Sequence, residues 1–337
     1  MIESKCIISV TDPGLFSTIQ DEGRDGWQGQ GVSVSGSADL NSMRIANVLV
    51  GNKPQAPVLE FVMQGPTLTF SEDCVVAFCG AKYTASISET PLPQGRPVRV
   101  HAGTTLEAGR SVGGMFGYLA VSGGLKIDEV MGSAATDTNN GFGGLEGRTL
   151  KVGDKLSVAK RSRNFRNLKD NKRYSMQPFI TTNWGVKRFF NGEKRLFRFI
   201  PSLQWNFLPN DIKEIFLSET FRVTSQSNRM GVRLVGCEIN MAPDFGEPSQ
   251  PVAMGTIQIP PDGQPIILSV DRQTVGGYPS MGVVISADRT RFVQSQPGAS
   301  IKFVEVSLVN AQNALISEDN SMKELRRYVS DRVKELD

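Results

Sequence analysis

A single histidine, His101, stands among 337 residues, and the four cysteines, Cys6, Cys74, Cys79 and Cys237, have no CxxC spacing. A zinc site built from several histidines is thereby excluded, and a Ser-His-Asp triad has only one residue around which to form. No metal site is expected. His101 lies in VRVHAG, at a strand end, and is assigned a structural or surface role. No apolar run is long enough to span a bilayer, and the start, MIESKCIISVTDPG, lacks the basic, apolar and small-residue succession of a signal peptide. A cytoplasmic location, no membrane partner and reduced cysteines follow as expectations, with Cys79 in VVAFCGA as a small buried hydrophobe. Nucleotide fingerprints are missing too. GFGGLEG at 141–147 has neither GxGxxG spacing nor a P-loop lysine and reads as a tight turn between strands.

Charge of one sign is scarce overall, at a net +3, but it is unevenly placed. Between Lys160 and Arg195 eleven basic residues face only Asp170 and Glu193. Such a stretch can mark a nucleic-acid surface. Here it carries Asn, Ser and Gly with little periodicity, so a solvated basic linker over 160–195 is expected, and no nucleic-acid partner.

Glycine is what the chain has in excess, 34 residues beside 18 prolines, punctuating many short β-rich runs. LEFVMQGPTLTF, CVVAFCG, YTASI, RPVRVHAG, TTLEAG and MFGYLAVSGG make a first set, and RLFRFIPS, ETFRVTSQS, GVRLVG, PIILSVD, GVVISAD and ASIKFVEVS a second. This spacing predicts barrels or sandwiches, not a parallel βαβ sheet. The expected fold is mostly β, with domains at 1–159 and 196–310 and a helical tail at 311–337. ADLNSMRIANVLVGN reads as a helix capped by Ser37 or Asp39 and closed by Gly51. Leu203 to Phe216 reads as short helical turns. TIQIPPDGQPIILSV reads as a hairpin about Asp262 and Gly263, with Ile257 and Ile259 set against Ile266, Leu268 and Val270. In the tail, Met322, Leu325, Val329, Val333 and Leu336 form one apolar stripe.

Three segments are too polar and too glycine-rich to be core. The first holds Gln20, Asp21, Glu22, Gly23 and Arg24, continuing to Ser35, Gly36 and Asp39. The second runs from Ser227 through Asn228, Arg229 and Met230 to Gly231. The third is Gln258 with Asp271, Arg272, Gln273, Thr274, Gly276, Gly277, Tyr278 and Pro279. Each sets an arginine beside amides, hydroxyls or a carboxylate, with glycines that let backbone N–H groups approach a ligand. Arginine's planar fork suits carboxylates and phosphates, so a small anionic ligand is expected. If the strand continues past Val270, Asp271 and Gln273 share one face and Arg272 takes the other.

In order along residues 8 to 305, PGLFSTIQDEGRDGW, GVSVSGSADLNSMRIANVLVGN, GYLAVSGGL, GFGGLEGRTLKVGDKL, SNRMGVRLVG, DRQTVGGYP and VISADRTRFVQSQPG resemble the allophanate hydrolase subunit 2 family. That family takes in the C component of 5-oxoprolinase, the antagonist of the Kip kinase inhibitor and the carboxyltransferase region of urea carboxylase. The resemblance implies two cyclophilin-like β-barrel domains. It implies one member of an ATP-dependent 5-oxoprolinase complex that opens 5-oxoproline to glutamate, working with a homologous B subunit and a separate A subunit on a small anionic amide. ATP, with magnesium, would be shared with those partners. The candidate residues are then Gln20, Arg24, Ser35, Asp39, Asn228, Arg229, Gln258, Asp271, Arg272, Gln273, Thr274, Gly276, Gly277 and Tyr278. Arg229, Arg272 and Arg24 would bind the anion, Asp271 and Gln273 would orient substrate, and no nucleophile or base is assigned. Two other readings stand beside it. One is a carboxyltransferase component, with biotin carried on another chain because no Met-Lys-Met segment occurs here. The other is a non-enzymatic antagonist of a kinase inhibitor. The sequence departs from the family in three places. Asn228 replaces a carboxylate, Ala134 stands where arginine is common, and EPSQPV at 247–252 replaces a motif resembling SEPV.

Overall fold

The computed structural model describes residues 6–159, 165, 178–186, 196–239 and 249–334. The chain forms two compact units, one of Met1–Gly23, Asp39–Asn191 and Lys323–Asp337, the other of Arg24–Ala38 and Gly192–Met322. Contiguous boundaries at 159 and 196 do not describe this exchange, because 24–38 is grouped with the second unit and the end of the tail with the first.

The first unit is two antiparallel six-stranded sheets. One runs, in spatial order, Lys155–Ser157, Ile7–Asp12, Thr67–Phe70, Thr105–Glu107, Ser86–Ile87 and Thr90–Pro91. The other runs Phe179–Thr181, Pro97–Val100, Cys74–Tyr83, Ser111–Val121, Val58–Val62 and Ser17–Gln20. Alternation along Ile7–Asp12 and Thr67–Phe70 puts Ile8, Val10, Leu68 and Phe70 into the core. Phe61, Phe78 and Tyr83 meet there at centroid distances of 5.2–5.4 Å. The helix α1, Leu40–Leu49, starts where the Asp39 carboxylate accepts from the Ser42 amide at 3.1 Å. It ends before Gly51, whose φ of 73° few other residues adopt cheaply.

Most of the expected linker lies outside the described residues. Its described parts are not solvated spacer: Phe165 and Phe179 are buried, and Phe179–Thr181 pairs with Pro97–Val100. Glu247 and Pro248 of EPSQPV, and Leu336 of the tail stripe, also lie outside the described residues.

The second unit is a closed barrel of seven strands, Leu196–Pro201, Ser280–Val284, Thr256–Gln258, Ile266–Leu268, Gly231–Val235, Phe221–Val223 and Ser300–Glu305. Parallel pairing of Leu196–Pro201 with Ser300–Glu305 closes it. Its core is aromatic: Phe216, from α2 (Asn210–Ser218), stacks on Phe303 at 4.7 Å, with Phe199, Trp205 and Phe221 around them. The predicted hairpin forms, but Ile257 faces Ile267 instead of the even-numbered row, and the strand stops at Leu268. The short helix α3 spans Arg289–Val293. The last helix, α4, spans Leu308–Lys334 and so begins before the expected tail. Met322, Val329 and Val333 are buried as the stripe predicts, while Leu325 keeps partial exposure. Among the described residues, no helix is long and apolar enough to cross a membrane.

Candidate functional site

The polar segments of the second unit are linked by contacts between Arg229 and Asp271, Arg229 and Gly36, Ser33 and Arg272, and Gly276 and Gln258. Asn228 shapes the first of them. Its side-chain oxygen accepts from the amides of Met230 at 2.8 Å and Gly231 at 3.3 Å, an Asx-type turn that fixes Arg229 between them. An aspartate would accept the same two bonds, so the substitution at Asn228 removes a charge and keeps the turn.

Arg229 forms a buried ion pair. Its Nε and Nη2 meet the Asp271 carboxylate at 2.7 and 3.0 Å, and Nη2 also donates to the Gly36 carbonyl at 2.7 Å. The side chains are 7% and 4% exposed, so this is a buried, bidentate pair. Arg229 and Asp271, expected to bind an anion and to orient substrate, are paired with each other, and the Arg229 fork also ties the 24–38 segment at Gly36. The backbone reinforces the pair, with the Asp271 amide donating to the Arg229 carbonyl at 2.9 Å.

Arg272 is different. Because the strand ends at Leu268, Asp271 lies in a turn and the expected two-faced alternation is lost; Asp271 and Arg272 are both buried while Gln273 and Thr274 are partly exposed. Arg272 donates from Nε to the Val252 carbonyl at 3.1 Å and from Nη1 to the Ser269 carbonyl at 3.3 Å. It is 7% exposed. Neutral carbonyls orient its fork without cancelling its charge. Burial, seconded by the neighbouring Arg289, lowers its pKa to about 10, and Asp25 opposes them. Its own carbonyl accepts from the Ser33 hydroxyl at 3.0 Å, a second tie to the 24–38 segment.

Gln258 is 2% exposed, and its amide forms no side-chain hydrogen bond among the described residues. A Cβ at Gly276 would stand 2.5 Å from its Nε2, so Gly276 is required for space beside that amide. Gly276 pairs with Gln250 in the short ladder Gln250–Pro251/Val275–Gly276, and Gly277 and Tyr278 lie exposed beyond it. On the 24–38 segment, Arg24 is buried and Ser35 holds a left-handed φ of 54°. The hydroxyls of Ser35 and Ser37 are buried without hydrogen-bond partners among the described residues. Unsatisfied buried donors of this kind mark strain or a missing ligand. The unit therefore offers a buried cation, a buried amide and two buried hydroxyls with bonding capacity left over.

Gln20 and Asp39 belong to the first unit. Gln20 donates to Thr18 Oγ1 at 3.0 Å and to the Thr136 carbonyl at 3.1 Å, leaving its Oε1 buried and unsatisfied. Asp21 accepts from the Ser133 hydroxyl and the Ala134 amide, each at 2.6 Å, so the loop carrying Ala134 is tied by its backbone. Asp39 is a helix cap, and its amide donates to the Tyr118 hydroxyl at 2.7 Å. That hydroxyl donates in turn to Glu60 Oε2 at 2.7 Å, and burial, then Glu60 and Asp39, raise its pKa. Sequence reasoning missed Glu60, Tyr118 and Arg289. A lone acid inside the apolar run LEFV was a usable signal for Glu60; Arg289, in the charged ADRTR, gave none that separates it from a solvated helix end.

Residues 30–305 match the family described as carboxyltransferase domain, subdomain A and B. The chain belongs to that carboxyltransferase domain family. It is 35% identical to the C component of 5-oxoprolinase from Escherichia coli (strain K12), over 95% of this chain and 97% of that one. It is 33% identical to the urea amidolyase of Saccharomyces cerevisiae over 94% of this chain, but spans only 18% of that protein. The crystal structure of the Kluyveromyces lactis urea carboxylase superposes with a TM-score of 0.85 at 27% identity, over 96% of this chain and 30% of that one. The chain thus spans less than a third of the length of either of these urea enzymes.

Proposed function

We propose that this carboxyltransferase-family chain is the C component of an ATP-dependent 5-oxoprolinase, opening 5-oxoproline to L-glutamate together with a homologous B subunit and a separate A subunit. The observation that carries the reading is the near end-to-end match in both directions with the C component of a 5-oxoprolinase. Urea enzymes match equally well over this chain but contain it as a minor part. An unstrained lactam is a poor electrophile. ATP, bound with magnesium and shared with the partner subunits, supplies a phosphoryl group that makes the carbonyl oxygen a leaving group. This chain's own residues bind and orient. The Gln258 amide suits the lactam N–H and C=O, and Arg272 supplies a fixed positive charge without reorganisation cost. Ser35 and Ser37 offer further donors. Arg229 and Asp271 hold the 24–38 segment in place around them.

A carboxyltransferase reading, with biotin arriving on another chain, is favoured by the TM-score of 0.85 to the urea carboxylase. The experiment that tests the primary reading is reconstitution with each of the three components omitted in turn. Glutamate should form from 5-oxoproline and ATP only when all three are present. Turnover by this chain alone, or by the partners without it, contradicts the proposal.

A further inference from the structure

Among the described residues of the second unit, the buried carboxylates Asp271 and Asp288 are matched by arginines. Asp271 is matched by Arg229. Asp288, fully buried, is matched by Arg198, whose Nη2 lies 2.6 Å from its Oδ1, and by Arg291 at the same oxygen. Arg272, buried, and Arg289, half-buried, are two further guanidiniums of this unit, and neither forms an ion pair among the described residues. Both hang from the same three-residue loop: Arg272 Nε donates to the Val252 carbonyl at 3.1 Å and Arg289 Nη2 to the Met254 carbonyl at 3.4 Å. Arg289 Nε is buried with no hydrogen-bond partner. The charges are close enough that Arg289 acts on Arg272, and burial lowers the pKa of each. The charge of Asp25 opposes this at Arg272, and that of Glu318 at Arg289. A buried and a half-buried cation close enough to repel, with a buried donor unused, are costly unless an anion completes them.

We propose that Arg272 and Arg289 together form a binding site for the carboxylate of a small-molecule ligand, held by the two guanidiniums against the Val252–Met254 loop. Carboxylate geometry matches the planar fork of arginine, and a charge of −1 between two cations leaves the cluster stabilised, not neutralised twice over. The site deepens the 5-oxoprolinase reading in one respect: 5-oxoproline carries a ring carboxylate, and the identity of the ligand, though not the existence of the site, rests on that reading.

The test is calorimetric titration of the full chain at fixed ionic strength with 5-oxoproline, with 2-pyrrolidinone (the same lactam without the carboxylate) and with inorganic phosphate. Wild type should bind 5-oxoproline and not 2-pyrrolidinone. Arg272→Met and Arg289→Met should each weaken 5-oxoproline at least about 30-fold, the scale of truncating one partner of a desolvated charge pair. Melting temperatures are measured in parallel, with Arg272→Lys and Arg289→Lys as charge-keeping controls. Because a repulsive half-buried cation is removed, Arg289→Met should not lower the melting temperature, and added 5-oxoproline should raise that of wild type only. Unchanged 5-oxoproline affinity in both Met variants overturns the site and leaves the 5-oxoprolinase reading standing. No binding of 5-oxoproline, with arginine-dependent binding of another small carboxylate such as glutarate, keeps the site and contradicts that reading. Arginine-dependent binding of phosphate with no carboxylate bound, or no binding of any of these anions, overturns the carboxylate assignment.

Discussion

Arg229 and Asp271 face each other in a bidentate pair, Nε to Oδ2 at 2.7 Å and Nη2 to Oδ1 at 3.0 Å, inside the second unit. The pair joins chemistry to architecture here, because the same guanidinium also holds the Gly36 carbonyl. Removing one partner strands a buried charge and should cost about 3–5 kcal/mol, whereas replacing both by apolar residues should cost much less. A double-mutant cycle of Arg229→Met and Asp271→Leu, followed by chemical denaturation, should show strong coupling. Additive losses would mean that the two side chains act independently.

Asp288 sets the acid limit of the same unit. Burial pushes its pKa up, but the bonds from Arg198 and Arg291 outweigh burial and hold it below its ordinary value of 3.8. A depressed carboxyl stabilises the fold above the unfolded value and loses that contribution as pH falls through the lower folded value. Stability should therefore decline below about pH 4, and Asp288→Asn should flatten that acid limb while lowering stability at neutral pH. An acid limb unchanged in the variant would assign it to other carboxylates.

The Tyr118 hydroxyl bridges the Asp39 amide and Glu60 in the first unit. Tyr118→Phe leaves two buried polar groups without that bond and should cost about 1–3 kcal/mol by denaturation. A neutral effect would show that the other contacts of Asp39 and Glu60 suffice.

Gly276→Ala drives a methyl to within 2.5 Å of the Gln258 amide. The amide must turn away, so binding of a lactam should weaken by about one hydrogen bond, some 0.5–1.5 kcal/mol, with little change in melting temperature. Asn228→Asp, by contrast, keeps both turn bonds and should shift stability by less than about 0.5 kcal/mol. A large loss for Asn228→Asp would show that the charge itself matters at the turn.

Much of the fold was legible because strands and caps are local. Gly-bounded apolar runs, the Asp39 cap with Gly51 beyond α1, and the Met322, Val329 and Val333 stripe all act within a few residues. What the sequence concealed depends on distant partners. Nothing near Arg229 says that its fork is filled by Asp271, 42 residues away. Adjacent in sequence, Asp271 and Arg272 read as one functional unit, yet one is tied up in structure and the other is not. Arg289 is indistinguishable in sequence from Arg291, although Arg291 reaches Asp288 and Arg289 does not. The grouping of residues 24–38 with the second unit likewise rests on the Gly36 and Ser33 bonds, which no local pattern announces.

The most direct test of the account is a product balance on the reconstituted complex supplied with 5-oxoproline, ATP, magnesium and bicarbonate. The 5-oxoprolinase reading predicts one glutamate and one phosphate for each 5-oxoproline consumed, with loss of both when Arg272 is replaced by Met. Phosphate release that yields a carboxylated product and no glutamate, or that requires a biotin-bearing partner, would contradict it.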